Sequence, residues 1–468
     1  MLGLGFPPVE VEMKKPLTGL MVVMLMGMLF NTGCSCFMHS DSSYTPVVTG
    51  DGTGGAIVVY EDLKGGNERD FYAQKIGPEG KPLWGEKGVL IGSGYKYFPA
   101  FSDLKIVGDA VGGAIIAWWA CPNKEMMTSV NHVIKVDSEG KILWQREIRA
   151  VSQMISDGSG GVIIASISEE QKLNILKVDS KGNYLRGEEG LPVYFGEYGH
   201  SLHLAGDGSG GAIIVQQNLT TTETNFEVFV QKVSSDGSLP WGQKEILLYP
   251  PWGNAEGVAI VSDGSGEAIV AWQVNAEKDI RVQRVDANGN ILWQQNGVPL
   301  EIAKAAGEAF PHTSLLVRDG SGGAIIMWED LRRGLVSIYA HRVGSDGTLK
   351  WPPGGVPVCY IKSNASLVFR QMVSDGLGGA IISCSFKEAG TNKRGVLVQK
   401  LDYTGKTAWP DNGIVVTGSD TTSHFISSDG RGGVLVTWGI GRSEKSYVQR
   451  IDAQGKPLWG AAGIKLSP

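Results

Sequence analysis

Three residues able to hold an ion or exchange a proton stand at one repeated place in this sequence. His200, Glu256 and His312 each lie seven residues before an Asp-Gly pair, at Asp207, Asp263 and Asp319. Two imidazoles and a carboxylate brought to a common point can form a polar pocket for a ligand or an ion. The plainer alternative is that all three are solvated residues at loop–strand junctions. Two acidic pairs are the other candidates, Glu61-Asp62 in YEDLKGG and Glu329-Asp330 in WEDLRRG. Each could hold a cation or meet an arginine such as Arg332 or Arg333. The plainer alternative there is a solvated turn with local ion pairs of little energetic weight. Other chemistries leave no signature. There is no Gly-x-Ser-x-Gly elbow, no HExxH and no phosphate-binding loop. The Asp-Gly turns lack the alternating carboxylates of a calcium loop. The five cysteines, Cys34, Cys36, Cys121, Cys359 and Cys384, have no zinc-type spacing. A disulfide among the last three is left open by the sequence.

The elements that must position these residues are repeats. Asp51, Asp109 (in DAVGG), Asp157, Asp207, Asp263, Asp319, Asp375 and Asp429 mark eight units spaced 48 to 58 residues apart. After each marker comes an apolar, often β-branched run such as Ala324-Ile325-Ile326-Met327-Trp328, the pattern of a strand buried on both faces. The ninth residue after the Asp is Tyr60, Trp118, Ser166, Gln216, Trp272, Trp328, Cys384 and Trp438 in turn. A second run follows, as in Val282 to Asp286, then a turn whose Gly precedes a Trp by four residues. The pairs are Gly80/Trp84, Gly140/Trp144, Gly237/Trp241, Gly289/Trp293, Gly347/Trp351, Gly405/Trp409 and Gly455/Trp459. The third unit departs, with Gly182 followed by Arg186. A short apolar piece such as Gly297 to Leu300 closes most units, and a strand such as Ser314 to Val317 precedes each marker. Four short strands per unit, eight times over, predict an all-β fold: an eight-bladed β-propeller of four-stranded blades. The 66 glycines among 468 residues then belong to turns, and eleven of the thirteen Trp fall at two fixed repeat positions. Trp119 and Trp252 stand outside the pattern.

The unit Asp286-Ala287-Asn288-Gly289-Asn290-Ile291-Leu292-Trp293 resembles the tryptophan-docking motif of quinoprotein-type (PQQ-like) eight-bladed propellers. The resemblance implies that each Trp stacks on a neighbouring blade with a Gly against it, giving a girdle of Trp84, Trp144, Trp241, Trp293, Trp351, Trp409 and Trp459. The physics agrees: radial sheets leave gaps toward their outer edges, and a large ring with one N–H to satisfy fills them. The Asp-Gly-x-Gly-Gly element is more extensive than that group's usual text, which makes the chain a relative of the group. The group includes dehydrogenases and non-enzymatic envelope lipoproteins, such as the propeller subunit of the outer-membrane β-barrel assembly machinery. A dehydrogenase of this kind would need a calcium site, a catalytic Asp and, in many members, adjacent cysteines. No adjacent Cys pair exists and no Asp matches, so the expectation is a protein without cofactor, metal or catalytic residues.

The N-terminus carries an export reading. From Met13, taken as the true start, Lys14 and Lys15 lead a short apolar stretch, Leu17 to Phe30, and Thr32-Gly33 precede Cys34. That is a signal peptide over residues 1–33, too short for a comfortable membrane span. Its end resembles a bacterial lipoprotein signal, which implies lipidation of Cys34, although Asn31 replaces the usual aliphatic residue. Plain secretion or an uncleaved anchor is the alternative. Residues 34–43 form a tether, and 44–468 a single propeller domain of eight repeats. The net charge of −6 and a pI near 5.7 argue against a nucleic-acid footprint. The function expected is that of a monomeric binding or scaffold propeller of the cell envelope, engaging a protein partner. The alternatives are a glycan-binding propeller, if Trp119, Trp252, Tyr95 or Tyr97 prove exposed together, and, more weakly, a quinoprotein-like dehydrogenase or a hydrolase.

Overall fold

The computed structural model describes residues 45–64, 68–95, 104–120, 130–167, 172–193, 199–219, 226–250, 255–302, 312–330, 332, 336–360, 366–387, 394–410, 412–417, 421–440 and 445–466. The signal segment, Cys34 and the tether lie outside them.

The second strand of each unit sets the architecture. In the fifth unit it is Ala268–Val274, and every residue of it is buried. Alternating side chains point to opposite faces, so a strand apolar at every position must be covered on both. Each unit accordingly forms a four-stranded antiparallel sheet in sequence order, with the second strand between the first and third. Eight such blades span 47–95, 105–149, 151–193, 199–249, 255–299, 312–360, 366–417 and 421–465. First strands of successive blades pack against one another all the way round, the last against the first, so they encircle the axis. Between blades lie separate hydrophobic clusters. One joins Val215 and Tyr249 of blade 4 to Val270 and Trp272 of blade 5. This is the eight-bladed all-β propeller that the repeat predicted.

Among the described residues no sheet contains strands of both the first and the last blade. Blade 8 meets blade 1 through side chains. Val48, Val58 and Ile76 share a core with Leu435, Val448 and Trp459. Thr437 donates to the Pro46 carbonyl at 2.5 Å, the Thr45 and Ser423 hydroxyls hydrogen-bond, and Trp459 Nε1 donates to the Pro78 carbonyl at 3.0 Å.

The acidic pairs correct one sequence expectation. They do not lie in solvated turns: the second strands run on through them, as Ala56–Lys64 and Ala324–Asp330. Glu61, Glu329 and Asp330 are buried. Arg69 reaches Glu61 at 3.2 Å, Arg370 of the next blade pairs with Glu329, and Arg332 pairs with Asp330. Burial outweighs Arg69 and pushes the Glu61 carboxyl up to about 7. Arg333 lies outside the described residues.

Candidate functional site

The strand order places the turns between strands 1 and 2, and those between strands 3 and 4, at one end of every blade. That end is regular. Each marker Asp folds its own turn: Asp375 Oδ1 accepts the Leu377 and Gly379 amides at 2.8 and 2.7 Å. The same geometry recurs at Asp51, Asp109, Asp157, Asp207, Asp319 and Asp429. A cation from the end of the third strand covers each of these carboxylates: Lys75, Lys135, Lys177, Lys232, Arg342, Lys400 and Arg450. Several of the cations also donate to the following blade's turn. Lys400 Nζ, for example, lies 3.2 Å from Asp375 and 2.7 Å from the Gly432 carbonyl. Sequence reasoning found the aspartates and missed this ring of cations. Blade 5 is the exception: Glu267 stands where the others have Gly and takes Arg284.

The tryptophan girdle belongs to the same end. Trp293 Nε1 donates to the Ser345 carbonyl of the next blade at 3.1 Å, and its ring lies against Gly347, whose φ of 79° and missing Cβ both favour glycine. Trp84, Trp144, Trp241, Trp351, Trp409 and Trp459 repeat the arrangement. Arg186 fills the vacant eighth place by other means. It lies against Gly237, and its Nε donates to the Asp236 carbonyl at 3.0 Å. A cleft of about 360 Å³, counting space open to solvent, remains beside it, with Ile163, Ile175 and Val233 among its walls. Leu83, Leu143, Leu185, Leu292 and Leu458, each one residue before a docking position, are exposed. Exposed leucines of this kind do not by themselves mark a ligand site.

The opposite end carries the loops between strands 2 and 3 and the connections between blades. Here the units differ in length and composition, and many of the loop residues lie outside the described set. The candidate trio falls at this end, on the first strands of blades 4, 5 and 6. His312 pairs with Glu329 and Glu256 with Gln273, while His200 sits at a register shift between Gly199 and Ser201, opposite Asn218 and Gln217. The side chains of His200, Glu256 and His312 lie outside the described residues. The side chains across from them are described, and they are polar and buried: Gln217, Gln273 and Glu329. Gln217 Nε2 donates to the Ala255 carbonyl of the next blade at 3.0 Å, Gln273 Nε2 reaches Asn275 Oδ1 at 2.6 Å, and Glu329 takes Arg370 of blade 7. The backbone therefore places three ionisable residues along an arc of the inner wall that buried polar groups back from blade 4 to blade 7. The position-by-position alignment of the repeats held the signal for that second row. Ten residues after their markers stand Gln217, Gln273 and Glu329; the same place holds Glu61 and Ser385 in blades 1 and 7, and Trp119, Ile167 and Gly439 in blades 2, 3 and 8.

Among the described residues no group of three His, Cys, Asp or Glu side chains could hold a metal ion. Two further titratable groups are fixed deep between blades. His424 accepts or donates a 2.7 Å hydrogen bond at Nε2 with Ser383, and burial holds its imidazole down at about 3, so it is neutral. His341 is buried and stacks on Trp351 with ring centroids 6.3 Å apart. Trp119 is half-buried, Trp252 and Tyr97 lie outside the described residues, and so does the side chain of Tyr95.

No family model matches the chain, and no curated protein matches it. Solved structures do. A eukaryotic initiation factor is similar with 12% identity and a TM-score of 0.46, over 92% of this chain and 90% of that one. The acylaminoacyl peptidase of Pyrococcus horikoshii gives 12% identity and a TM-score of 0.43, over 77% of this chain and 52% of that one. The β-propeller domain of the trilobed protease of Pyrococcus furiosus gives 11% identity and a TM-score of 0.41, over 78% and 98%. At these identities and scores the likenesses carry no inference about activity.

Proposed function

We propose that the chain is a non-catalytic propeller that binds a protein partner through its loop end. The supporting observation is the division between the two ends. One end spends its polar groups on itself: each marker Asp outside blade 5 takes turn amides and a cation, and each docking Trp N–H takes a carbonyl of the next blade. Such groups are unavailable to a ligand without breaking the blade. The other end holds the parts that differ from unit to unit, including the polar arc behind His200, Glu256 and His312. A rigid scaffold with variable loops at one end is how recognition surfaces are usually carried. The signal-like N-terminus supports placing this propeller in the cell envelope, tethered by lipid at Cys34, and the Gly–Trp spacing supports kinship with the PQQ-like group in its non-enzymatic branch.

A photocrosslinking amino acid placed at Ala276, in the loop between strands 2 and 3 of blade 5, tests the polarity against one placed at Asn288, on the regular end of the same blade. The expected result is a discrete protein adduct in intact cells from position 276 and none from 288, with the adduct weakened when His200, Glu256 and His312 are all changed to Ala. An adduct from 288 alone, or quinone-dependent turnover by the purified chain, would overturn the reading.

A further inference from the structure

Cys359 and Cys384 face each other across the junction of blades 6 and 7. Cys359 lies on the fourth strand of blade 6 (Val356–Tyr360) and Cys384 on the second strand of blade 7 (Ala380–Lys387). Their Sγ atoms are 3.9 Å apart, and both residues are buried, at 2% and 0% exposure. The two positions have counterparts between blades 4 and 5. Cys384 is the ninth residue after Asp375, as Trp272 is after Asp263. Cys359 pairs with Ile338 beside a register shift, as Tyr249 pairs with Val228. At the junction of blades 4 and 5 these places hold Tyr249 against Trp272, with rings 5.7 Å apart. At the junction of blades 6 and 7 the same two places hold two thiols. Exchanging two aromatic rings for two small side chains removes much of the apolar contact a packed interior relies on. Met327, Met372 and Phe386 lie in the cluster around the thiols. Of all small pairs, two cysteines alone can restore the tie covalently.

We propose that Cys359 and Cys384 form a disulfide that clamps blade 6 to blade 7. The reaction is thiol–disulfide exchange with a disulfide-bearing oxidant such as oxidised glutathione. The two Cys–SH groups and one R–S–S–R give one Sγ–Sγ bond and two R–SH, and the thiol protons leave with the reduced oxidant. Bonding requires the sulfurs to close from 3.9 Å to about 2.05 Å, roughly 1 Å of movement each, which side-chain rotation can supply. The bond forms while the blades assemble. Once they close, the neighbouring Cys384 and burial push the Cys359 thiol well above its ordinary value, so little thiolate exists to exchange. The proposal is independent of the binding role, because it requires only that the folding chain meet the oxidant.

The experiment compares full-length protein refolded in a glutathione redox buffer with the same protein kept in dithiothreitol. Each is alkylated in guanidinium before proteolysis and mass spectrometry. The expected result is a peptide pair joined through Cys359 and Cys384 only after oxidation, with Tm about 2–5 °C above that of the reduced form. The Tm difference should vanish in C359A/C384A. Alkylation of both thiols after oxidative refolding would overturn the proposal, and so would linkage of either to Cys34, Cys36 or Cys121. The peptide map uses the unaltered chain, so it decides the question even if the double variant does not fold.

Discussion

His424 shows how far one residue can be taken from its ordinary behaviour by where a strand places it. It lies on the first strand of blade 8 and faces Ser383 of blade 7, where Nε2 and Oγ are 2.7 Å apart. Burial disfavours its cation and lowers its folded value from 6.5 to about 3. The unfolded chain therefore binds one more proton than the folded chain between those limits. The contribution of His424 is complete above 6.5 and is lost as pH falls toward 3, at about 1.4 kcal/mol per unit. Glu61 acts in the opposite sense. Its folded value is raised from 4.5 to about 7, so its contribution is complete below 4.5 and is lost as pH rises through 7. The two slopes oppose each other in the shared window, so the raw profile of the wild-type protein would hide both. His424→Asn isolates one of them. Its unfolding free energy by urea titration should gain on that of the wild type as pH is taken from 6 to 4, by about one proton's worth of slope. Equal slopes would mean that the imidazole is protonated within the fold.

The turn and the cation that covers it form one structural element, and its parts were unequally legible. Asp375, Gly376 and Gly379 announce the turn because local geometry demands them. Lys400 does not announce itself: it is 25 residues away in sequence, and only the register Ala380↔Leu401 on the antiparallel ladder brings it to the carboxylate. The docking tryptophans were legible because a Gly four residues before a Trp recurs seven times, and Arg186 was legible as a gap although its replacement bond was not. The acidic pairs were misread for a related reason. Charge in a sequence suggests solvent, yet Arg370 arrives from the next blade to make burial of Glu329 tolerable, while Asp330 is covered by Arg332, the near neighbour that the sequence offered. The trio His200, Glu256 and His312 lies on the first strands of blades 4, 5 and 6, while the buried Gln217, Gln273 and Glu329 across from it needed the strand pairing to be seen. The element also yields a ranking. Asp375→Ala removes two turn hydrogen bonds and leaves Lys400, 7% exposed, without its carboxylate, at a cost of about 3–5 kcal/mol. Asp263→Ala loses an exposed turn bond, while Arg284 keeps Glu267 and the Ser345 carbonyl, at a cost of about 1 kcal/mol. Urea midpoints for the two variants in the opposite order would refute the covering role of the third-strand cation.

At the scale of the whole ring, blades 8 and 1 meet at a junction of the same kind as the six others that a tryptophan docks. Each sheet is complete in itself, and blade 8 docks on blade 1 by the same devices that join its neighbours: a shared apolar cluster and Trp459 reaching the Pro78 carbonyl. Strand 4 of blade 8 and strand 1 of blade 1 have their free ends at the loop end of the ring. A linker between Leu466 and Thr45 would thus be one more blade-to-blade connection. Natural ones here span five residues between Val193 and Gly199 and three between Thr417 and Thr421. A circular permutant with 466 joined to 45 by about six Gly/Ser residues, opened between Thr417 and Thr421, should fold with Tm within a few degrees of the parent, because contacts of this ring are between neighbours. The same linker with the ring opened between Val193 and Gly199 should give a less stable protein, by about 2 kcal/mol. There Arg186, beside a cleft open to solvent, must hold the open junction in place of the buried ring of Trp409. Thermal unfolding of the two permutants gives the comparison. Equal stability would make the Arg186 contact as strong as an indole dock. Failure of both to fold would mean that closure depends on the native order of the chain, and that side-chain packing between blades 8 and 1 is not enough to close the ring.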